Sequence, residues 1–291
     1  MSSTEIRQSS QTVLVTGATG AVGRHLVTTL LERGVAVRAL TRKPEDAALP
    51  EGVEVVAGDL GDASTLGAQV FDGVDRVFVF PARGVDVFMD AAVAAGVQRF
   101  TVLSSLAAAM EFPRDHGSAS QLHHSAVEAA VTERTAGWTI LRPGTFANNL
   151  LEWRFQIRSG VPIRAPYVES AQAPVHEFDV AEAAAETLLS DEYVGQIIPI
   201  TGPQAVTRAE QVATLGAAIG REISLSEITA DEFRSEMGQY IPQPIMKMLL
   251  DYWSDTLVTP DRARPVTPVT GKPGRTLAEW AADHRTDFMI V

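Results

Sequence analysis

The chain contains no cysteine, so disulfides, thiolate catalysis and zinc–thiolate sites are excluded. It also contains no apolar run of the ~18 residues that a membrane-spanning helix needs. Residues 1–11 are polar and include no apolar segment of the signal-peptide type. From these absences we expect a soluble cytoplasmic protein without a metal site and without a membrane partner.

Positive charge is scarce: 24 Lys and Arg stand against 36 Asp and Glu, which gives a net charge of −12. Such a surface repels a phosphate backbone, so a nucleic-acid partner is not expected. The 291 residues, 45% of them apolar, are enough for one or two domains with a core of their own.

Three glycines follow the first apolar run of the chain, residues 13–15, and precede an amphipathic run. In a dinucleotide site, the first glycine (Gly17) makes a tight turn, the second (Gly20) lets the backbone approach the phosphates, and the third (Gly23) packs the helix on the strand. The helix N-terminus then offers free N–H groups to the anion. The alternative is a plain glycine-rich turn. The residues predicted to bind the cofactor here are Gly17, Thr19, Gly20, Ala21, Val22 and Gly23.

Short apolar segments alternate with helical patterns through the first half of the chain. This alternation predicts an α/β fold, a Rossmann-type doubly wound parallel sheet with helices on both faces. We expect an NADP-binding domain over 1–150. The predicted strands after the first are 35–40, 53–57, 76–80, 100–103 and 138–141.

Periodicity weakens beyond residue 150, which indicates a smaller C-terminal substrate-binding region over 151–291. One strand near 196–200 is expected to return to the main sheet. Residues 231–258 contain prolines at 242 and 244 and are the candidate for a mobile lid.

The end of the second predicted strand indicates which dinucleotide is used. NAD-binding proteins usually have an acidic residue here for the ribose hydroxyls. This chain reads Thr41-Arg42-Lys43 and has no acid before Glu45. Arg42 and Lys43 can face a 2′-phosphate, which predicts NADPH or NADP as the cofactor. The alternative is a pair of solvated loop charges.

Two further segments follow predicted strands. The Asp59 carboxylate, beside Leu60, can accept a hydrogen bond from the adenine amine, although an Asp turn is the common alternative. The run Phe80-Pro81-Ala82 is expected to pass close to the ribose and the nicotinamide.

Together, the glycine signature, Gly58-Asp59-Leu60, Ser104-Ser105 and residues 137–144 resemble the atypical short-chain dehydrogenase/reductases, most of all the NmrA-like group. That group includes quinone reductases and antibiotic-tailoring ketoreductases. The resemblance implies that Ser104, Pro143 and Gly144 also contact the cofactor.

The family's usual chemistry relies on a Ser or Thr after the fifth strand and on a Tyr-x-x-x-Lys pair on the next helix. Here the Tyr position falls on Ser120 and the Lys position on His124, while the Ser or Thr position falls on Leu106, beside Ser105. Ser120, His124 and Glu128 share one helical face. His124 is therefore the candidate proton donor, with Ser105 and Ser120 beside it. The alternative is a helix-surface histidine.

Substrate contacts are expected from the second half of the chain, which is rich in aromatic and Met residues. These residue types are also common in a plain core, and an Asn at this place is also a common helix cap. The predicted substrate residues are Phe146, Asn149, His176, Tyr252 and Trp253.

These expectations lead to an NADPH-dependent oxidoreductase, a ketoreductase or quinone reductase. It would act on an aromatic, polyketide-type small molecule, as in antibiotic biosynthesis, and would be a monomer or a homodimer. The absence of the Tyr-x-x-x-Lys pair supports a second hypothesis, a non-catalytic NADP(H)-binding redox sensor with a regulatory partner.

Overall fold

The computed structural model describes residues 12–289. The polar segment on which the expectation of no signal peptide depends, 1–11, lies outside the described residues. Between residues 12 and 289, no helix is long and apolar enough to cross a bilayer.

The main sheet has seven strands in the order β3-β2-β1-β4-β5-β6-β9, and two small two-stranded sheets pair β10 with β8 and β11 with β7. The strands are β1 Thr12–Thr16, β2 Ala36–Thr41, β3 Glu54–Ala57, β4 Val74–Val79, β5 Arg99–Leu103, β6 Trp138–Pro143, β7 Ile163–Ala165, β8 Ala171–Gln172, β9 Ile197–Ile200, β10 Val206–Thr207 and β11 Leu225–Glu227. The strand expected near 196–200 is therefore present as β9.

Helices follow most of these strands. The α-helices are α1 Ala21–Glu32, α2 Ala68–Phe71, α3 Val85–Ala94, α4 Ala119–Thr132, α5 Arg154–Ser159, α6 Glu177–Leu189, α7 Arg208–Ile219, α8 Ala230–Met237, α9 Gln243–Thr256, α10 Thr267–Thr270 and α11 Leu277–Asp283. Short 3-10 helices cover Pro44–Asp46, Ala63–Thr65, Leu106–Ala109, Ala147–Trp153, Asp191–Tyr193 and Arg285–Phe288.

Burial along the strands explains the layered architecture. Strands β1 and β5 are buried at four consecutive residues, and β4 is buried at all positions but one. Consecutive side chains point to opposite faces of a sheet, so both faces are covered. The pairs β1–β2, β1–β4, β2–β3 and β4–β5 are all parallel. The predicted Rossmann-type α/β fold is confirmed.

By its internal contacts, the chain divides into two units. Unit 1 contains the chain up to Leu103 together with 127–140 and 184–196, and unit 2 contains the remainder. This division differs from the linear boundary expected at residue 150. The reason is that α4, β6 and α6 each pass from one unit into the other.

A large apolar cluster forms part of the core of unit 1. It joins the inner faces of β1, β4 and β5 to α3 and to the second half of α4. Phe71 and Phe88 meet within it at a ring distance of 5.6 Å. This core fixes the strands whose carboxyl ends carry the predicted cofactor residues.

Unit 2 contains two apolar clusters. The larger one joins the 147–153 segment, α7 and α11, with Trp280 and Phe288 fully enclosed, and the smaller one joins α8 and α9. The segment expected as a lid, 231–258, is therefore mostly helical. Pro242 and Pro244 do not interrupt α9, because they lie at its N-cap and first turn, where no backbone N–H is needed.

Candidate functional site

The glycine turn after β1 has the geometry of a dinucleotide-binding turn. Gly17 has a φ of +63°, a left-handed conformation that favours glycine. A side chain at Gly17 would also place its Cβ 2.7 Å from Cγ of Phe80. The turn is closed by the Gly20 N–H, which donates to the Gly17 carbonyl at 3.0 Å.

Gly23 lets α1 pack directly on this turn. A Cβ at Gly23 would collide with the Gly17 carbonyl oxygen and lie 2.8 Å from Cα of Ala18. Gly20 is different, because it is the exposed N-cap of α1 and a Cβ there would come no closer than 3.3 Å to the Gly17 oxygen. The two glycines therefore have separate roles, close packing for Gly23 and an open backbone for Gly20.

The first turn of α1 is open to an anion. It contains no acidic residue, and Thr19, Gly20 and Ala21 are exposed. Val22 is buried, so it can offer only its backbone N–H to a ligand. The helix N-terminus leaves its first N–H groups without intrahelical acceptors, which is what a pyrophosphate requires.

Thr16 ties the end of β1 to the end of β4. Its buried hydroxyl donates to the Phe78 carbonyl at 2.9 Å and accepts from the Phe80 N–H at 2.7 Å. Phe80 is 39% exposed although it follows a buried strand, and Pro81 and Ala82 are half-buried. These contacts place Phe80 against the glycine turn, as its predicted role near the ribose requires.

Arg42 is the freest of the predicted cofactor residues. It is exposed, and among the described residues it has no hydrogen bond or ion pair. Lys43 lies 3.7 Å from the Asp46 carboxylate, and the Lys43 N–H donates to the Thr41 hydroxyl at 3.3 Å. Arg42 is therefore better placed than Lys43 to form an ion pair with a phosphate.

Sequence reasoning missed Arg24, in the first turns of α1. Its guanidinium donates to the Thr19 carbonyl at 3.0 Å, the Ala48 carbonyl at 2.8 Å and the Ala47 carbonyl at 3.0 Å. It thereby connects the glycine turn to the segment after β2. No local pattern identifies such a residue, because its acceptors are backbone carbonyls.

The contacts of Asp59 are compatible with both predicted roles, stabilising a turn and binding the adenine amine. Its Oδ1 accepts from the Gly61 N–H at 2.9 Å, and its own N–H donates to the Thr65 hydroxyl at 2.9 Å, so it does stabilise a turn. It is only half-buried, which leaves the carboxylate accessible. Leu60 packs partly on the core of unit 1.

The segments after β1, β2, β3 and β4 lie at one edge of the sheet, because these four strands are adjacent and parallel. The strand order reverses at β1, which has β2 on one side and β4 on the other. A crevice at such a reversal is where doubly wound sheets bind ligands. The glycine turn, Arg42 and Phe80 all border this edge, so unit 1 fits a dinucleotide.

Unit 2 brings two of the predicted catalytic residues together. The Ser120 hydroxyl donates to the Ser105 hydroxyl at 3.2 Å, and Ser105 also accepts from the Ala107 N–H at 3.3 Å. His124 lies one turn further along α4, with its ring edge-on to His123 at 5.1 Å. Helix α4 itself contains neither Tyr nor Lys.

The residues predicted from the family resemblance follow strand ends. Ser104 is buried, and its N–H donates to the Leu141 carbonyl at 2.7 Å. Pro143 ends β6, and the Gly144 N–H donates to the Ile200 carbonyl at 2.8 Å. Their contact with a cofactor stays a prediction.

Phe146 and Asn149 differ in what they can offer a substrate. Phe146 is half-buried and bridges to Val175 in a single parallel pairing. Asn149 is exposed and donates its amide to the Thr145 hydroxyl at 3.3 Å; it lies inside the 147–153 helix and does not cap it. Its carbonyl oxygen remains the group that a substrate can reach.

His176 belongs to an internal network that anchors α11. Its Nδ1 accepts from the Phe178 N–H at 3.1 Å and its Nε2 lies 3.3 Å from Asp283, while only 2% of the residue is exposed. The neighbouring Glu177 accepts from Nε1 of Trp280 at 3.0 Å and from Nε2 of His284 at 2.7 Å. These contacts favour a structural role for His176.

The hydrogen bond from His284 affects both partners. The Glu177 carboxylate accepts a hydrogen bond from the His284 ring, and this raises the pKa of His284 from its ordinary value of 6.5. Burial is the largest influence on Glu177 and acts to raise its pKa, but the hydrogen bonds from His284 and from the backbone, together with the nearby His176 and His284, outweigh burial and lower the pKa. The network is therefore stabilised when both groups are charged.

Tyr252 and Trp253 lie on α9 beside arginines that sequence reasoning missed. The Tyr252 hydroxyl donates to Asp261, and burial together with that carboxylate raises the pKa of Tyr252 well above its usual value. Tyr252 therefore keeps its proton and is a poor acid. Arg114 pairs with Asp255 and, at 3.4 Å, with Asp261.

Trp253 is stacked on one side by a buried cation. The Arg208 guanidinium lies 3.9 Å from the Trp253 ring centre, and the Phe233 ring meets Trp253 edge-on at 5.5 Å. Arg208 is the first residue of α7 and lies far from Trp253 in the sequence. No sequence pattern signals this contact, which depends on tertiary packing.

A family model described as NAD(P)H-binding matches residues 17–191 of the chain. The chain belongs to this NAD(P)H-binding family. The expected resemblance to atypical short-chain dehydrogenase/reductases, the oxidoreductase class and the NAD(P)H cofactor are confirmed.

The chain is similar to two named reductases along nearly all of its length. It is 35% identical over 284 residues to a (4-alkanoyl-5-oxo-2,5-dihydrofuran-3-yl)methyl phosphate reductase of Streptomyces griseus, covering 95% of this chain and 99% of the relative. It is 32% identical over 289 residues to an NAD(P)H azoreductase of Xenophilus azovorans, again covering 95% and 99%. Neither relative supports the non-catalytic sensor.

The fold matches that of an NADPH-dependent quinone oxidoreductase from Escherichia coli. The TM-score is 0.77 at 24% identity, and the match covers 93% of this chain and 98% of that one. At this identity, the likeness shows the fold alone.

Gly23→Ala should destabilise the NAD(P)H-binding fold by about 1–3 kcal/mol or more, because a Cβ there overlaps the turn that it packs on. Gly20→Ala is the matched variant. It should unfold at nearly the wild-type urea midpoint but bind NADPH more weakly, since its Cβ occupies the phosphate approach. Urea unfolding and calorimetric titration separate the two effects. A wild-type midpoint for Gly23→Ala would contradict the packing argument.

Arg42→Ala should weaken NADPH binding about 10- to 150-fold and leave NADH binding nearly unchanged, because only NADPH carries the 2′-phosphate. Lys43→Ala should weaken NADPH binding less, since the Lys43 ammonium already forms an ion pair with Asp46. Titration of both variants with both cofactors measures this. Equal weakening of NADPH and NADH by Arg42→Ala would place the 2′-phosphate elsewhere.

The network around His284 should make stability depend on pH. Because the folded-state pKa of His284 is raised, its stabilisation is fully present below the unfolded pKa of about 6.5 and is lost as pH rises through the folded pKa. His284→Gln should remove this loss. The free energy of unfolding measured from about pH 6 to about pH 9 shows it. His116→Gln, at an exposed histidine, is the control. An unchanged pH dependence in His284→Gln would contradict the assignment.

Proposed function

We propose that the chain is an NADPH-dependent reductase of a ketone or quinone carried by an aromatic, polyketide-type small molecule. The observation that carries the preference for NADPH is Arg42, an exposed guanidinium directly after β2 that makes no hydrogen bond or ion pair with residues 12–289. Its position beside the glycine turn suits a 2′-phosphate, and no acid there competes for the ribose.

The substrate class is supported by the relatives and by unit 2. The acceptors in the relatives' names are an acylated furanone phosphate, azo compounds and quinones, each with a polarised double bond that can take a hydride. Trp253, predicted to contact the substrate, packs edge-on with Phe233 in the buried α8–α9 cluster of unit 2, and a planar substrate suits the margin of such an aromatic cluster. A quinone or a conjugated ketone has both a planar shape and a double bond that can take a hydride.

NADPH, when bound, supplies the hydride, so the chain must orient the acceptor and deliver a proton. The Ser105 and Ser120 hydroxyls are 3.2 Å apart and can together hold a carbonyl oxygen. His124, one turn along α4 at the position of the family's Lys, is the proposed proton donor, because an imidazolium is an effective general acid. It would supply the proton in place of the Tyr that α4 lacks.

A panel of quinones, polycyclic ketones and azo dyes, assayed by NADPH oxidation, tests the function. We expect turnover of at least one quinone or conjugated ketone, faster with NADPH than with NADH. Tight NADPH binding with no oxidation above the enzyme-free rate on the whole panel would contradict the proposal. That outcome would favour the redox sensor.

His124→Ala should lower kcat by about 10²- to 10⁴-fold and flatten the pH–rate profile near neutrality, because a general acid is lost. NADPH affinity should stay at the wild-type value. The control is His123→Ala, which removes an exposed imidazole from the neighbouring position of α4. An unchanged pH–rate profile in His124→Ala would return this residue to a surface role.

A further inference from the structure

Arg208 is a buried cation without a counter-ion. It is the first residue of α7, and only 4% of its surface is exposed. Its Nε is buried without a hydrogen-bond partner, and the side chain makes no hydrogen bond or ion pair with any residue from 12 to 289. A guanidinium has five N–H donors, so this is a large unmet capacity.

The other buried arginines of the chain are not in this state. Arg38 pairs with Glu54 at 2.7 Å, and Arg76 pairs with Asp191 at 3.1 Å. Arg114 pairs with Asp255 and Asp261, although its Nε, like that of Arg76, has no partner. Among the residues that the structure describes, these other buried guanidinium groups each pair with a carboxylate, whereas that of Arg208 does not.

Aromatic stacking accounts for only part of this environment. Arg208 lies 3.9 Å from the Trp253 ring centre and 5.4 Å from that of Trp153. Such stacking stabilises the charge through the flat faces of the guanidinium, while the N–H donors point outward from its edge. The donors therefore remain available to an acceptor that meets the edge.

No nearby carboxylate among the described residues accepts a hydrogen bond from the Arg208 guanidinium. The Glu152 carboxylate is close enough to act on the charge of Arg208 but forms no ion pair with it. Burial lowers the pKa of Arg208 to about 10, so the side chain stays protonated at neutral pH. A fixed positive charge with unused donors in an aromatic setting suits an oxyanion, which accepts two parallel hydrogen bonds.

We propose that Arg208 binds an oxyanion group of the substrate, a phosphate monoester or a carboxylate, beside the Trp253 ring. This inference rests on the proposed reductase function and narrows its substrate class. The substrate would be an aromatic or conjugated carbonyl compound with one anionic substituent. Trp253, predicted from the sequence as a substrate residue, then covers the guanidinium that holds that substituent.

Binding of phenyl phosphate, measured by calorimetry without turnover, is the direct test. The wild-type chain should bind phenyl phosphate, and Arg208→Met should weaken that binding about 10- to 150-fold, since hydrogen bonds to a charged group are lost. Inorganic phosphate and benzoate are titrated in parallel. Tighter binding of phenyl phosphate than of inorganic phosphate assigns the site to a substrate substituent rather than to the free ion. Equal or tighter binding of inorganic phosphate would overturn the substrate assignment.

Two further variants keep the test decisive. Arg158→Met removes an exposed cation of unit 2 and should bind phenyl phosphate like the wild type. Arg208→Gln keeps donors without the charge and replaces Arg208→Met if circular dichroism shows that the latter is unfolded. Wild-type affinity in either folded Arg208 variant, or no phenyl phosphate binding by the wild type, would overturn the proposal.

Turnover measurements distinguish the proposed role of Arg208 from the proposed reductase function on which it rests. With methyl red and its methyl ester as a matched anionic and neutral pair, Arg208→Met should lower kcat/KM about 10- to 150-fold for the acid only. An equal loss for both would overturn the role of Arg208. If neither dye nor any quinone is reduced by the wild type, the proposed function fails, while the phenyl phosphate titration still decides on Arg208.

Discussion

The close packing of α1 on the turn after β1 is the constraint on which the nucleotide site depends. Because Gly23 has no side chain, the helix begins against the Gly17 carbonyl. Its free N–H groups then lie at the edge of the sheet where β2, β3 and β4 also end. Gly17, held at a positive φ against Phe80, completes the turn. A single methyl group at Gly17 or Gly23 disturbs this arrangement, which explains why these two glycines carry so much of the sequence signal.

Unit 1 could be predicted from the sequence because its determinants are local. Buried parallel strands need runs of apolar residues, and those runs placed β1 to β6 within a few residues of their bounds. The turn chemistry of Gly17, Gly20 and Gly23 is also local. The two units do not follow the linear order of the chain, because α4 and β6 each continue from one unit into the other. Sequence patterns describe single elements, whereas this grouping depends on which elements touch.

Helix α9 shows structure that the proline pattern does not reveal by itself. Pro242 and Pro244 lie in the segment predicted to be a mobile lid, and they open a 14-residue helix. Proline is unfavourable inside a helix, but it suits the first turn, where no N–H bond is lost. The contact between His176 and Asp283 could not be predicted from the sequence, because the two residues lie 107 positions apart. Contacts of this separation leave no local pattern.

The missing Tyr-x-x-x-Lys pair and the unpaired Arg208 have a common explanation in the proposed chemistry. Precise orientation of a substrate can lower a reaction barrier by ~7–11 kcal/mol, so a substrate held firmly needs less help from a strong protein acid. A buried guanidinium that meets an anionic substituent provides that hold at a point away from the reacting carbonyl. Departures from local rules are expected where function requires them, and both departures of this chain fall on residues proposed to act on the substrate. In the proposed mechanism, binding energy at Arg208 adds to the proton donor His124 and compensates for the Tyr–Lys pair that α4 lacks.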